Sequence, residues 1–449
     1  MKTNFIYYMM LFGLSILPLG KIAAQSKPLS LEEAVSYALA NNKDIKVQSL
    51  EEDKSLQAVK EARSNMLPSV SATGAYSYYF SKPVIFMPGS LTGNAEEPVV
   101  DVAVGGKNAF NSVLTVNQPL LAAASRQRVK STLVAGQITK EKTTALKSEV
   151  IRQVHAGYYT ILLLQKQLEL QHQSFERNKQ ALDDSRSLLK QGKALVVDTL
   201  RNYIALQNLK PTISSLKSRI NISKSELKTL IGIKADQEIN LSDSLVTSLY
   251  DADKPLSLEQ AVEIALQLRP DIKSQVLTIE LSKKQMDATK AERLPSLWAT
   301  GQFQVQGQAD NKSLADYRWP NTSFIGAQLV VPIFTGFKTD ARIKQTKINF
   351  QQSNIGFEYT KEKVRNELSS KLSILEEAYE RWSIEEQTVK SAQISYNTMR
   401  DRYQQGLSSR LEFTDAELAF SLAKINQLQA VFDLHMAHLD LEKALGRLQ

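Results

Sequence analysis

Hydrophobic positions along this chain change period in a fixed order, and they do so twice. Leu31, Ala34, Val35, Ala38 and Leu39 recur at helical spacing, with Ser30 and Glu33 placed as a capping box. Ser257 and Gln260 repeat the device in the second half, where Pro270 closes the helix; Asn41-Asn42 loosens it in the first. A second helix is predicted to reach about Asn65 or Glu292, stopped in both halves by Leu-Pro-Ser. The period then drops to two. In 297–308, Leu297, Ala299, Gly301, Phe303 and Val305 oppose Thr300, Gln302, Gln304, Gln306 and Gln308. In 69–80, Val70, Ala72, Tyr76, Tyr78 and Phe80 oppose Ser69, Ser71, Thr73 and Ser77. Segments 110–119 and 323–334 read as the returning strands, and 81–109 and 309–322 as Pro- and Gly-bearing surface loops.

The longest pattern follows. Val154, Ile161, Leu168, Phe175, Leu182 and Leu189 are spaced seven apart, as are Leu368, Leu375, Trp382, Val389, Tyr396 and Tyr403. A seven-residue stripe predicts packed coiled-coil helices, here over about 121–191 and 338–405. Some 70 residues at 1.5 Å each is on the order of 100 Å, several times a usual helix. Each should end at a glycine, Gly192 or Gly406, and be followed by a returning helix, about 196–231 and 410–446. Pro211 is expected to kink or bulge the first of these.

The two halves match in sequence as well as in pattern. Sliding 27–74 onto 254–301 gives 22 identities in 48 positions, and the later parts align at an offset of 214. A duplicated half-molecule is the expectation, with repeats over 25–253 and 254–449. Residues 1–24, with Lys2, an apolar run from Phe5 to Leu19 and Ile22-Ala23-Ala24, have the form of a cleavable signal peptide. Removing them takes Lys2 and Lys21 and lowers the formal charge from +8 to +6.

Several chemistries are thereby disfavoured. The charge is spread among many acids and makes no nucleic-acid stripe. With no cysteine there are no disulfides, thiolate metal sites or acylated N-terminal cysteine. His435 and His438 stand three apart on a helix without a third clustered ligand, so no metal and no cofactor is expected. No nucleotide-binding glycine loop or catalytic triad pattern occurs, and an enzyme is not expected.

No long apolar helix is present after the N-terminus, so entry into a membrane must be by strands. Ten to twelve alternating residues with glutamines on the polar side suit a strand between lipid and a wet lumen. Phe303, Val305, Tyr76 and Tyr78 are then the membrane-facing candidates. Four strands cannot close a barrel, which needs about eight, so other copies must complete it; strand counting does not fix how many.

The chain resembles the TolC family of outer-membrane efflux proteins. The marks are the doubled Leu-Ser-Leu-Glu-x-Ala opening, Leu67-Pro68-Ser69 and Leu294-Pro295-Ser296, and Pro332-Ile333-Phe334-Thr335-Gly336. Gly192 with Asp198 and Gly406 with Glu412 are the tip marks, while Pro119-Leu120-Leu121-Ala122 departs from the pattern, lacking the Phe and Gly. The resemblance implies a mainly α fold: a long α-helical barrel with a transmembrane β-barrel, four strands per chain and twelve in a homotrimer. It implies a passive tunnel of a tripartite efflux or type I secretion system, set in the outer membrane and its lipid and extending into the periplasm. Its partners would be a periplasmic adaptor (membrane fusion) protein and an inner-membrane pump. Matching the tips gives Asp198, Tyr403, Glu412, Asp415 and Arg410 as entrance or gate candidates, with Gly192 and Gly406 at the turns. Ser408 stands where the family often has an arginine, and Arg410 lies two residues further on. The acids could equally cap the returning helices. The alternative reading of the whole chain is a periplasmic coiled-coil adaptor or structural envelope protein without a pore.

Overall fold

A computed structural model describes residues 28–93, 96–245, 256–311 and 313–448; the expected signal peptide lies outside them, as does most of the 240–254 link between the halves. The elements run in the same order twice. Helices α1 (Leu31–Asn41) and α2 (Lys43–Ser64) precede strand β1 (Ser69–Tyr78), a small insertion, and β4 (Asn108–Leu121). Helices α4 (Ala123–Lys190) and α5 (Val196–Ile231) complete the first half. The second half has α6 (Leu258–Leu268), α7 (Pro270–Ala291), β5 (Ser296–Ala309), β6 (Asn321–Val330), α8 (Lys338–Gln404) and α9 (Arg410–Leu445). Matched helices have nearly equal lengths: 11 residues for α1 and α6, 22 for α2 and α7, 68 and 67 for α4 and α8, 36 for α5 and α9.

Local chemistry sets these boundaries. Both predicted capping boxes form, Ser30 with Glu33 and Ser257 with Gln260. Asn42 accepts from the Asp44 and Ile45 amides through Oδ1, starting α2, and donates to the Leu230 carbonyl. Pro270 takes the first position of α7, where its missing N–H is not needed. Helix α5 runs through Pro211 as one element.

Each half has its own core where the short helices meet the long ones. Ala34 and Ala38 of α1 pack with Ile45, Val154, Leu227 and Ile231; Ala261 and Ala265 of α6 pack with Ile272, Leu368, Leu441 and Leu445. Small alanines let the short helix lie close to the long pair, and the large residues fill the groove on either side.

The four long strands form one antiparallel sheet in the order β1-β4-β5-β6. The segment 81–109, expected as loop, instead carries a hairpin of β2 (Val84–Met87) and β3 (Val100–Ala103) with a single turn of helix, α3 (Gly89–Thr92), between them, and its last two residues already belong to β4. A four-residue run such as Val-Ile-Phe-Met is too short to show a period among prolines and glycines. The last strand ends at Val330, earlier than the expected 334, because Pro332 cannot donate to a ladder.

Candidate functional site: hairpin tips and sheet faces

Directly opposed residues in the ladder share a side of the sheet. Phe303 faces Leu114 and Ser323, Val305 faces Ser112 and Asn321, and on the other flank Tyr76 faces Phe110 and Tyr78 faces Asn108. The four membrane-face candidates therefore lie on one side, with Val70, Ala72, Val116, Ile325 and Leu329. The opposite side carries Ser71, Thr73, Asn111, Thr115, Asn117, Thr300, Gln302 and Gln304, with Val113, Trp298 and Phe324 among them. There Thr300 donates to Asn117 at 3.0 Å and Gln304 to Asn111 at 2.9 Å. No Asp, Glu, Lys or Arg occurs in any of the four strands. At one end the apolar side closes in aromatics: Tyr76 and Phe110 rings lie 4.8 Å apart, with Tyr317 and Trp319 beyond.

Far from the sheet, the helix hairpins turn on Gly192 (φ 69°) and Gly406 (φ 73°), left-handed conformations that a side chain would strain. Both turns are Schellman motifs: the Lys193 amide donates to Leu188 and that of Leu407 to Arg402, at 2.9 and 2.8 Å. What surrounds the turns differs. Helix α9 starts in a third capping box, Ser409 with Glu412, whose carboxylate accepts from the Ser409 amide at 2.7 Å. These hydrogen bonds, first that from the backbone, hold the Glu412 carboxyl below its ordinary range. Behind it stands a ladder of rings. Tyr403 stacks on Phe413 at 5.4 Å, Phe413 on Tyr396 at 5.8 Å, and Tyr396 on Phe420 at 5.4 Å. The Arg410 guanidinium sits over the Phe413 and Tyr403 rings, at 5.1 and 5.4 Å. Helix α5 has Leu195 at its N-cap and no side-chain cap; Asp198 pairs with Arg201 at 4.0 Å.

The hairpins are joined along α4 and α9, which run antiparallel. Glu149 pairs with Lys443, Arg152 with Asp440 at 3.6 Å, Tyr159 stacks on buried His435 at 4.8 Å, and Arg177 pairs with Glu417 at 2.8 Å. Burial raises the Glu149 pKa, but hydrogen bonds from Arg152 and Lys443 outweigh it and bring it down to about 2. Nearest the tips, Arg410 donates to Asn202 at 3.3 Å, and Asn202 donates to the Ala181 carbonyl. Arg410 Nε is buried without an acceptor. Arg410, Arg177, Tyr403 and Asp184 help line a cleft of about 630 Å³ between α4 and the second hairpin.

The structure thus gathers Tyr403, Arg410 and Glu412 at one tip. Asp415 is exposed one turn along α9, and Asp198 belongs to the other hairpin. Sequence reasoning missed Asn202, Arg177 and Glu417. Tyr396 and Tyr403 were visible in the heptad stripe, but Arg177 and Glu417 are 240 residues apart and share no pattern. Among the described residues no group of three His, Cys, Asp or Glu side chains could hold a metal ion.

A sheet of opposed faces without charge, joined to coiled-coil hairpins on the order of 100 Å long, defines a class of envelope channel proteins. The sequence profile of the outer membrane efflux protein family matches residues 34–233 and 261–447, and the chain belongs to that family. It is an outer-membrane component of the efflux and secretion kind, in a family of channels and not of enzymes. It is 23% identical over 423 residues to the cation efflux system protein CusC of Escherichia coli K12, covering 92% of this chain and 85% of CusC. It is 26% identical over 235 residues to the outer membrane efflux protein BepC of Brucella suis, a match spanning 52% of this chain and only 51% of BepC. The proteases secretion protein PrtF of Dickeya chrysanthemi is 20% identical over 73% of this chain and 69% of its own. A CusC crystal structure superposes with a TM-score of 0.73 at 19% identity, over 93% of this chain and 92% of that one.

Proposed function

We propose that three copies of this chain close a twelve-stranded transmembrane barrel, continued into the periplasm by a helical tunnel. One observation carries this reading: the sheet has a mainly apolar and a mainly polar face, both without charge, yet β1 and β6 each keep an unpaired edge within the described residues. Backbone edges in lipid cost several kcal/mol per unpaired group, so β6 of one copy must meet β1 of the next. Phe303, Val305, Tyr76 and Tyr78 then face lipid, and the glutamines face water. Residues 25–253 and 254–449 are the two structural repeats, each supplying one hairpin of strands and one of helices to the ring; residues 1–24 direct export.

The tunnel performs no chemistry. It passes substrate outward from an inner-membrane pump through a periplasmic adaptor; its relatives CusC and PrtF are named for cation efflux and for protease secretion. At the tips Asp198, Glu412 and Asp415, repeated about a threefold axis, would form negative rings favouring cations. Arg410, seated over Tyr403, holds the second tip against the first through Asn202 and so sets how far the entrance opens. The test is native mass in mild detergent followed by single-channel recording. A trimer with conductance is expected, and a monomer without conductance would sink the reading. Neutralising Asp198 and Glu412 together should lower cation selectivity; unchanged selectivity rejects the ring.

A further inference from the structure

Between Val330 and Lys338 the chain reads Val-Pro-Ile-Phe-Thr-Gly-Phe, and its large side chains point away from the fold. Ile333 is 94% exposed, Phe334 73% and Phe337 72%. The backbone there is strained. Phe337 has φ 61°, alone among the described non-glycine residues in the left-handed region, and follows Gly336 at φ 59°. This pair of left-handed residues turns the chain so that Phe334 and Phe337 meet edge to face, centroids 5.5 Å apart, at the start of α8. The corresponding junction in the first half has no such segment: β4 ends at Leu121 and α4 begins at Ala123.

The helix ends that meet the sheet at the wedge's end of the strands are basic. Arg63, Arg126, Arg128, Arg293, Lys338 and Arg342 are all exposed. Across 61–65, 123–130, 290–294 and 338–344 the acids are Glu61, Glu292 and Asp340 alone. Glu292 is shared by Arg128 at 3.2 Å and Arg342 at 2.6 Å, and Asp340 is taken by Arg293. A surplus of cations therefore faces outward immediately below the uncharged sheet.

We propose that residues 331–337 and these helix ends form a clamp for anionic phospholipid in the leaflet on the helical side of the membrane. The proposal rests on the membrane reading of the sheet. Two observations choose the occupant. The wedge continues the apolar face of β6, where Ile325 and Leu329 are exposed, so its surroundings continue the lipid. The cations lie one step further from the sheet, at the level where phosphates replace hydrocarbon. Aromatic side chains settle at that boundary, and a guanidinium fork matches phosphate oxygens in pairs.

The chain has no cysteine, so single introduced cysteines can be spin-labelled without background. Full-length Phe334→Cys, Phe303→Cys and Gln351→Cys proteins would be reconstituted in phosphatidylcholine vesicles with and without phosphatidylglycerol. Collision with oxygen reports lipid, and collision with a water-soluble nickel chelate reports water. The label at 334 should be oxygen-accessible and nickel-shielded, shallower than that at 303, with 351 in water. If 303 is in lipid and 334 is nickel-accessible, the clamp is wrong and the barrel stands. If 334 is shielded from both reagents, a second copy covers the wedge and the clamp is wrong. If 303 and 334 are both in water, clamp and membrane reading fall together. Phosphatidylglycerol should also raise the melting temperature of the parent, and Lys338→Gln with Arg126→Gln should remove more than half of that rise. An equal rise in parent and variant overturns the charge half of the proposal.

Discussion

The two helix-hairpin tips share a turn and differ in everything that holds it. Gly192 and Gly406 close the same six-to-one hydrogen bond, at 2.9 and 2.8 Å. The second tip then has a capping box, four stacked rings and an arginine laid over two of them. The first has an exposed leucine at the N-cap, with Val196 and Leu200 exposed beside it. If the proposed entrance opens by moving helix ends, it needs one part that keeps its shape and one that yields. The second tip is built to keep its shape, and it meets the first hairpin through Arg410–Asn202 and, higher up, through Arg177 with Glu417 and Ser421.

The largest effect should come from breaking that upper link. Glu417 is 8% exposed, and Arg177 also bonds Ser174 and Ser421. Glu417→Ala leaves the guanidinium without its charge partner. The loss should be about 2–3 kcal/mol, between an exposed pair and a fully buried one. Amide exchange in 170–185 and 413–425 should speed up together, and channels should dwell longer open. If exchange changes on α9 alone, the pair does not couple the hairpins.

Phe413→Ala comes next, because its ring separates Tyr403 from Tyr396 and carries Arg410. Half-buried, it should cost about 2 kcal/mol, less than the 3–5 of a fully buried Phe. Exchange should rise at 396–413, while 188–200 changes little. Equal rises at both tips would show that the ring ladder supports the whole end and not one hairpin.

Smaller again is the capping box. Ser409→Ala should cost about 1 kcal/mol and release the first turn of α9. The same contact gives the second tip a pH dependence with a definite sign. The Glu412 pKa is lowered in the folded state, so its stabilisation is present above the ordinary value of 4.5 and is lost as pH falls through the folded value. Ser409→Ala keeps the backbone donor to Glu412 and with it part of the dependence, so the control is Glu412→Gln: protection at 410–413 should fall on acidification below about 4.5 in the parent and be flat in that variant. A parallel fall in both would assign the acid effect elsewhere.

Much of this arrangement is legible in the sequence. Seven-residue spacing gave α4 and α8 almost to the residue, and the glycines gave both turns, because these depend on local backbone chemistry and one repeated stripe. Alternation gave the sheet faces for the same reason, since a ladder inherits its sides from period two. What stayed hidden needs the packing of α4 on α9: Arg177 finds Glu417, and Arg410 finds Asn202, only once two hairpins lie side by side. Glu412 read as either gate or cap, and its bonds to Ser409 show the cap. The strained Phe337 was invisible because nothing in a sequence marks a left-handed phenylalanine.

The smallest effect is also the most direct test of the comparison, because it adds to the weak tip what the strong one has. Leu195 is 68% exposed at the N-cap of α5, and Asp198 stands three residues on, where a reciprocal cap would place its acid. Leu195→Ser loses little burial and supplies an oxygen for the third amide of the helix. A gain of about 0.5–1 kcal/mol is expected, read as slower exchange at 196–199 with no change at 410–413. Glutamate reaches back more readily than aspartate, so adding Asp198→Glu should increase the gain. If gating truly depends on one yielding tip, the double variant should also shorten open dwells without altering conductance. Slower exchange with unchanged dwells would mean that the first tip's looseness plays no part in opening.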